Sequence, residues 1–256
     1  MRPVFISLLV VSCLIGRVSA HGTEDSERPL VVAVAANFAR TAQSIATQFQ
    51  RQSGIEVRLM AGSTGLLFAQ IAQGAQVDVF LAADIDRPRR LVEANPSKTS
   101  APVMYARGRL ALWWPSTTGE VSLRRFLKQA RTIAIANPKL APYGIAAQSV
   151  LNDYGAHEGQ ATLVLGQNIG TTFSQIRAGS VDGGFVALAQ LRAAGVPEVQ
   201  YVEIPEEMHP PIMQAALVTA TGARRPSAEA FLAFLTSPST QAQLVQWGYS
   251  TTEGPS

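Results

Sequence analysis

Short apolar runs alternate along this chain with stretches whose apolar positions recur at helical spacing, the signature of strands followed by amphipathic helices. Leu30 to Ala36 reads as a buried strand, and Phe38, Ala42, Ile45 and Phe49 then share one helical face as far as Gly54. Ile55 to Ala61 predicts a second strand, Thr64 to Gly74 a second helix and Val77 to Ala83 a third strand. Asp84 to Ala94 reads as a helix with Pro88 in its first turn.

A second series follows, with strands at Arg109 to Trp114, Thr132 to Ala136, Leu163 to Gly166 and Gly184 to Leu188. Helices are predicted between them at Leu123 to Ala130, Tyr143 to Tyr154 and Gly170 to Ala178. The end of the chain departs from this alternation. Strands near Val199 to Ile204 and Ile212 to Thr219 precede two helices, Ser227 to Leu235 and Ser239 to Trp247. Strand–helix alternation with short connections implies parallel sheets covered on both faces. Two such units without a low-complexity linker predict an α/β fold of two lobes, each a mostly parallel sheet flanked by helices, joined by crossing strands. The first lobe is expected from 29–105 with 217–256, and the second from 106–216. The cleft between them lies at the carboxyl ends of the strands.

Four strand-to-helix turns carry the chemistry. They centre on Ala36 and Asn37, on Ser63, on Tyr143 and on Ile169. A helix start leaves backbone N–H groups without intrahelical partners and turns the positive end of the helix dipole toward the same point. None of the four supplies Lys or Arg, so together they suit a small anion wrapped in neutral donors. Asn37 and Ser63 also look like ordinary helix caps. Capping does not explain the small residues beside them (Ala35, Ala36, Gly62, Gly65), nor a Tyr between Pro142 and Gly144.

Composition narrows the picture. Of 256 residues 47% are apolar and 15% charged, which is the balance of a well-buried globular chain. Residues 1–20 combine Arg2, an apolar run and the small-x-small ending Val18-Ser19-Ala20, the pattern of a cleavable secretory signal. This implies export to the periplasm; the alternative is lipid attachment at Cys13, the only cysteine. Without Arg2 and Arg17 the remaining 19 basic residues face 18 acidic ones, and no basic stripe suggests nucleic acid.

Catalytic patterns are missing. Gly62-Ser63-Thr64-Gly65 lacks the lysine of a phosphate loop, and Ala61 stands where a nucleophile elbow needs glycine. His21, His157 and His209 have no metal-ligand spacing, and His209 beside Pro210 and Pro211 reads as a surface-loop residue. Asp78, Asp84 and Asp182 each fit a strand edge or turn.

The segments VAVAANF, AGSTGLLFAQIAQGAQVDVFLAAD, YARGRLALWW, ANPKLAPYGIAA, AGSVDGGFVALAQL and FLAFLTSPSTQAQLVQWGY resemble the periplasmic molybdate-binding proteins of ABC importers, over Val31 to about Tyr249. The resemblance implies the periplasmic-binding-protein fold, no enzymatic activity, no cofactor and a molybdate or tungstate ligand. It also implies a monomer that delivers this ligand to a membrane permease. Carried over residue by residue, the ligand set is Ala36, Asn37, Ser63, Tyr143 and Ile169. Relatives with Ser at the first turn often place a Tyr hydroxyl where this chain has Ala187; Tyr143 stands in for that donor. A receptor for sulfate or another oxyanion remains open, as do a hydrolase using Ser63 and a sensory partner protein.

Overall fold

The computed structural model describes residues 28–154 and 161–250. The expected signal at 1–20, Cys13, His21 and His157 lie outside the described residues.

Two five-stranded sheets form the fold, with strand orders β2-β1-β3-β10-β4 and β7-β6-β8-β5-β9. The first contains β1 (Leu30–Ala35), β2 (Val57–Gly62), β3 (Val79–Ala82), β4 (Val103–Gly108) and β10 (Ile212–Val218). The second contains β5 (Leu110–Trp113), β6 (Thr132–Ala136), β7 (Thr162–Gly166), β8 (Gly183–Ala187) and β9 (Tyr201–Glu203). Both share one plan. Three parallel strands from βα units lie on one side, and a fourth strand, β10 or β5, pairs antiparallel with both its neighbours. Strand β1 (LVVAVA) is covered on both faces, which is why it reads as an unbroken apolar run.

Helices α1 (Ala39–Ser53), α2 (Thr64–Ala72) and α3 (Asp86–Ala94) cover the first sheet, joined by α8 (Pro226–Leu235) and α9 (Pro238–Gln246). Helix α1 buries Thr41, Ala42, Ile45, Ala46 and Phe49 and ends at Gly54, whose φ of 74° is the left-handed value that favours glycine. The last two helices belong to this lobe. Phe231, Leu235 and Leu244 share an apolar cluster with Val32, Ile45 and Val218, and the Phe49 and Phe231 rings meet edge to face at 5.2 Å. Helices α4 (Leu123–Gln129), α5 (Pro142–Asp153), α6 (Ile169–Arg177) and α7 (Leu188–Ala193) belong to the second lobe. The short α7 was not visible in the apolar pattern, which there runs on unbroken from β8.

The chain leaves the first sheet at Gly108 and enters the second at Leu110, with Arg109 between them. It returns between β9 and β10. The expected separations after 105 and after 216 fall inside β4 and β10, whose antiparallel pairing runs from Val103 to Gly108 against Ile212 to Ala216. Backbone pairing thus carries both crossing segments beyond the point where the apolar pattern restarts.

Candidate functional site

Helices α1, α2, α5 and α6 all start at the carboxyl ends of parallel strands, and within each sheet the turns lie side by side. Ala35 pairs with Gly62 in register, and the Ala36 N–H donates to the Gly62 carbonyl at 2.9 Å. The second sheet repeats the step: Ala136 pairs with Gly166, and the Asn137 N–H donates to the Gly166 carbonyl at 2.8 Å.

The two pairs also meet across the cleft. The Gly65 N–H donates to the Leu140 carbonyl at 2.9 Å. A methyl placed on Gly170 would lie 3.6 Å from the Ala36 Cβ. Ala35 and Ala36 pack in one apolar cluster with Tyr143, Ile169 and Ala187. All four turns therefore converge, and Asn37, Ser63, Tyr143 and Ile169 are each buried.

Each turn presents different donors. Ser63 caps α2, its Oγ accepting from the Leu66 N–H at 3.3 Å, which leaves the hydroxyl proton free to point elsewhere. Ile169 is the first residue of α6, so its N–H has no intrahelical acceptor. Asn168 caps that helix by accepting from Thr171, and Gln190 steadies the turn by donating to the Ile169 carbonyl. Tyr143 follows Pro142 at the start of α5, again in the turn of unpaired N–H groups.

Asn37 differs from expectation. It does not cap α1. Phe38 occupies the N-cap in a near-helical conformation (φ −100°, ψ −4°) and the helix begins at Ala39. That extra turn carries the Asn37 carboxamide away from the helix, where its Nδ2 donates to Gln214 Oε1 at 2.8 Å. The Asn37 carbonyl accepts from the Tyr249 hydroxyl at 3.3 Å.

The Tyr143 hydroxyl is buried and makes no hydrogen bond of good geometry among the described residues, although the Asn37 amide lies close enough to act on it. It lies against Gly108, where an added methyl would come within 2.3 Å of the phenol oxygen. Burial pushes its pKa well above the ordinary 10.0 and the Tyr249 hydroxyl adds to this, while the Asn37 amide pulls the other way. The group therefore stays a neutral donor. Gln214 Nε2 is a buried donor without a hydrogen bond among the described residues. Sequence reasoning missed Gln214; its signal was a lone polar residue inside the apolar strand IMQAALV.

Charges stay at the margins. Asp84 pairs with Arg87 beside an outer cleft of about 520 Å³ that also touches Pro142, Ile145 and Pro211. The three aspartates are dispersed: Asp78 binds Arg28 and Arg225, and Asp182 accepts the N–H groups of Arg131 and Thr132. No His, Cys, Asp or Glu group among the described residues has the makings of a metal site. His209 is buried and not a surface residue, and its Nδ1 lies 2.9 Å from the Pro210 carbonyl.

The family of bacterial extracellular solute-binding proteins matches residues 30–250. This chain belongs to that family. Among relatives of this solute-binding protein, the molybdate-binding protein ModA of Rhodobacter capsulatus is 34% identical over 224 residues, covering 87% of this chain and 88% of the relative. ModA of Azotobacter vinelandii is also 34% identical, covering 85% and 88%. The solved structure of the periplasmic molybdate-binding protein of Azotobacter vinelandii superposes with a TM-score of 0.78 at 33% identity, covering 88% of this chain and 100% of that one. The periplasmic-binding-protein fold is thus shared along with the sequence.

Proposed function

We infer that this solute-binding protein captures molybdate, and tungstate with it, and delivers the anion to the permease of an ABC importer. The observation that carries the reading is the meeting of four helix-start turns from two lobes around neutral donors, among them the buried Tyr143 hydroxyl, which has no well-formed hydrogen bond among the described residues. The ligand set is Ala36, Asn37, Ser63, Tyr143 and Ile169. Ala36 was expected to offer its backbone N–H, but that group is given to the Gly62 carbonyl, so Ala36 only borders the site; Asn37, Ser63 and Tyr143 offer side-chain donors, and Tyr143 and Ile169 add helix-start N–H groups. Two ModA relatives at 34% identity support the choice of anion.

A molybdate dianion only accepts hydrogen bonds, so a site made of donors meets every oxygen. Phosphate carries a proton near neutral pH and needs an acceptor. None of the five residues has a carboxylate, and the mismatch leaves a donor facing a donor, at a cost of about 1–3 kcal/mol. Helix starts disperse the dianion's charge without a fixed cation. Sulfate has the same polarity as molybdate and must be rejected by size. Ala187 supplies no hydroxyl, and Tyr143 lies in the same cluster with a buried one, which supports its role as the replacement donor.

Capture rather than catalysis is supported by the solute-binding family and its relatives, and Ser63 is engaged as the cap of α2. Export to the periplasm rests on the leader at 1–20 and on the periplasmic relative. The two lobes are taken to close on the anion about Arg109 and the β9–β10 return. Calorimetric titration with molybdate, tungstate, sulfate and phosphate tests the reading. Tight binding of the first two and negligible heat with phosphate are expected, and sulfate matching molybdate would overturn the assignment.

A further inference from the structure

The geometry points to Gln214 as the positioning residue that fixes the Asn37 amide for the anion, a role that rests on the oxyanion reading above. Gln214 is fully buried in the crossing strand β10. Its Oε1 accepts from Asn37 Nδ2 at 2.8 Å and shares the one Tyr105 hydroxyl proton, at 3.1 Å, with the Ala82 carbonyl at 3.2 Å. The amide-to-amide bond is therefore the contact that pairs the Gln214 oxygen with the Asn37 nitrogen.

A backbone irregularity sets up this arrangement. Gln214 pairs with Ala106 but the next residue, Ala215, pairs with Met104, so Tyr105 is the extra residue of a β-bulge directly opposite. Bulges re-aim side chains. Here the Tyr105 hydroxyl lies within reach of both Gln214 and the Ala82 carbonyl at the end of β3. The bulge and the buried glutamine are otherwise hard to justify in a strand that is apolar on both faces. Gln214 Nε2, without a hydrogen bond among the described residues, is a group that a core built only for stability would replace with a methyl.

Held this way, Asn37 gives an amide hydrogen to Gln214 and turns its carboxamide toward the Tyr143 hydroxyl at the cleft. Without Gln214 the carboxamide is free to turn its oxygen inward, presenting an acceptor to an anion that can only accept. Gln214 therefore acts on selectivity as well as affinity.

The test is a double-mutant cycle by calorimetric titration with molybdate and sulfate, using wild type, Gln214→Met, Asn37→Ala and the double variant. Methionine keeps the length and volume of glutamine and removes both polar ends. Gln214→Met should weaken molybdate binding about tenfold or more and shrink the ratio of molybdate to sulfate affinity. In the Asn37→Ala background the same change should cost less than twofold. Additive losses in the double variant, or wild-type affinity in Gln214→Met, would overturn the proposal. Should Gln214→Met fail to fold by circular dichroism, Gln214→Leu carries the same comparison. A wild-type protein that binds none of the oxyanions removes the oxyanion reading and this one with it, whereas wild-type binding with an unaffected Gln214 variant removes this one alone.

Discussion

The backbone N–H of Gly65 donates to the carbonyl of Leu140 at 2.9 Å, joining the first turn of α2 to the turn that precedes α5 across the cleft. The two lobes meet here backbone to backbone, with little room for a side chain between them. A methyl on Gly65 would stand 3.1 Å from the Leu140 oxygen, 3.2 Å from its Cα and 3.3 Å from an Arg87 nitrogen.

Gly65→Ala tightens this contact, so that the Leu140 turn must shift by a few tenths of an ångström, and should hinder full closure. Alanine suits the helix better than glycine, so the unliganded protein should melt at the same temperature or slightly higher. Molybdate affinity should fall about tenfold. Small-angle scattering with saturating ligand should show a more open form than wild type; equal affinity and equal dimensions would mean that closure does not depend on this contact.

Tyr143→Phe separates donation from packing. The hydroxyl is buried with no well-formed hydrogen bond among the described residues, so removing it should change the stability of the free protein little. If it donates to the anion, affinity should fall about tenfold or more. Calorimetry reads the second quantity and thermal melting the first.

Much of this fold could be read from the pattern of apolar residues, and the reasons are local. Strands such as Leu30–Ala35 and Thr132–Ala136 are buried on both faces and read as continuous apolar runs, while Phe38 to Phe49 shows a single helical stripe. The pairing of β4 with β10 was less legible, because it joins segments about a hundred residues apart and neither alternates cleanly. The four strand-to-helix turns proposed as the site were legible as turns because helix starts have their own residue preferences. What Asn37 does there was not, since its partner Gln214 is 177 positions away. His209 misled for a similar reason: two prolines beside it suggest a loop, but tertiary packing buries it.

Ser63→Ala and Asn37→Ala should differ in the free protein. Ser63 caps α2, so its loss should cost about 1 kcal/mol of stability before any ligand is added. With ligand, loss of a hydroxyl donor to a charged acceptor adds about 1.5–3 kcal/mol. Asn37 caps nothing, and its removal instead leaves a Gln214 oxygen one donor short, with Tyr105 still bonded to it. Urea denaturation of both variants, without and with molybdate, resolves the two contributions. Equal losses in the absence of ligand would contradict the assignment of the cap.

Asp78 holds the edge of the first lobe together. Its buried carboxylate binds Arg225 at 2.8 Å and Arg28 at 2.6 Å and accepts the Val31 N–H, tying β1 and the start of β3 to the segment that leads into α8. Arg28 is partly exposed and contributes little, but the Arg225 side chain is almost wholly buried. Asp78→Ala removes this buried ion pair and the acceptor of the Val31 N–H together and should cost about 3–5 kcal/mol. Because the pair lies at the opposite end of the strands from the four turns, molybdate affinity of the folded fraction should not change. Denaturation and titration of the same sample test both halves of this statement.

Alkaline pH should act on the three tyrosines around Asn37. Burial raises the pKa of Tyr105, Tyr143 and Tyr249 above the ordinary 10.0, so each keeps its proton in the folded protein after it would have lost it in the unfolded chain. Between pH 10 and the raised values the folded state binds more protons than the unfolded one, and stability must fall as pH rises. Below pH 10 all three are neutral in both states and contribute no slope. Melting temperature should therefore stay flat with respect to these groups from neutrality to about pH 10 and drop beyond it. Tyr143→Phe should make that drop shallower, by removing one of the three groups. Molybdate binding should persist as long as the fold does, since the Tyr143 hydroxyl remains a donor throughout. A binding curve that fades well below pH 10 while the protein stays folded would show that a group other than these phenols controls the site.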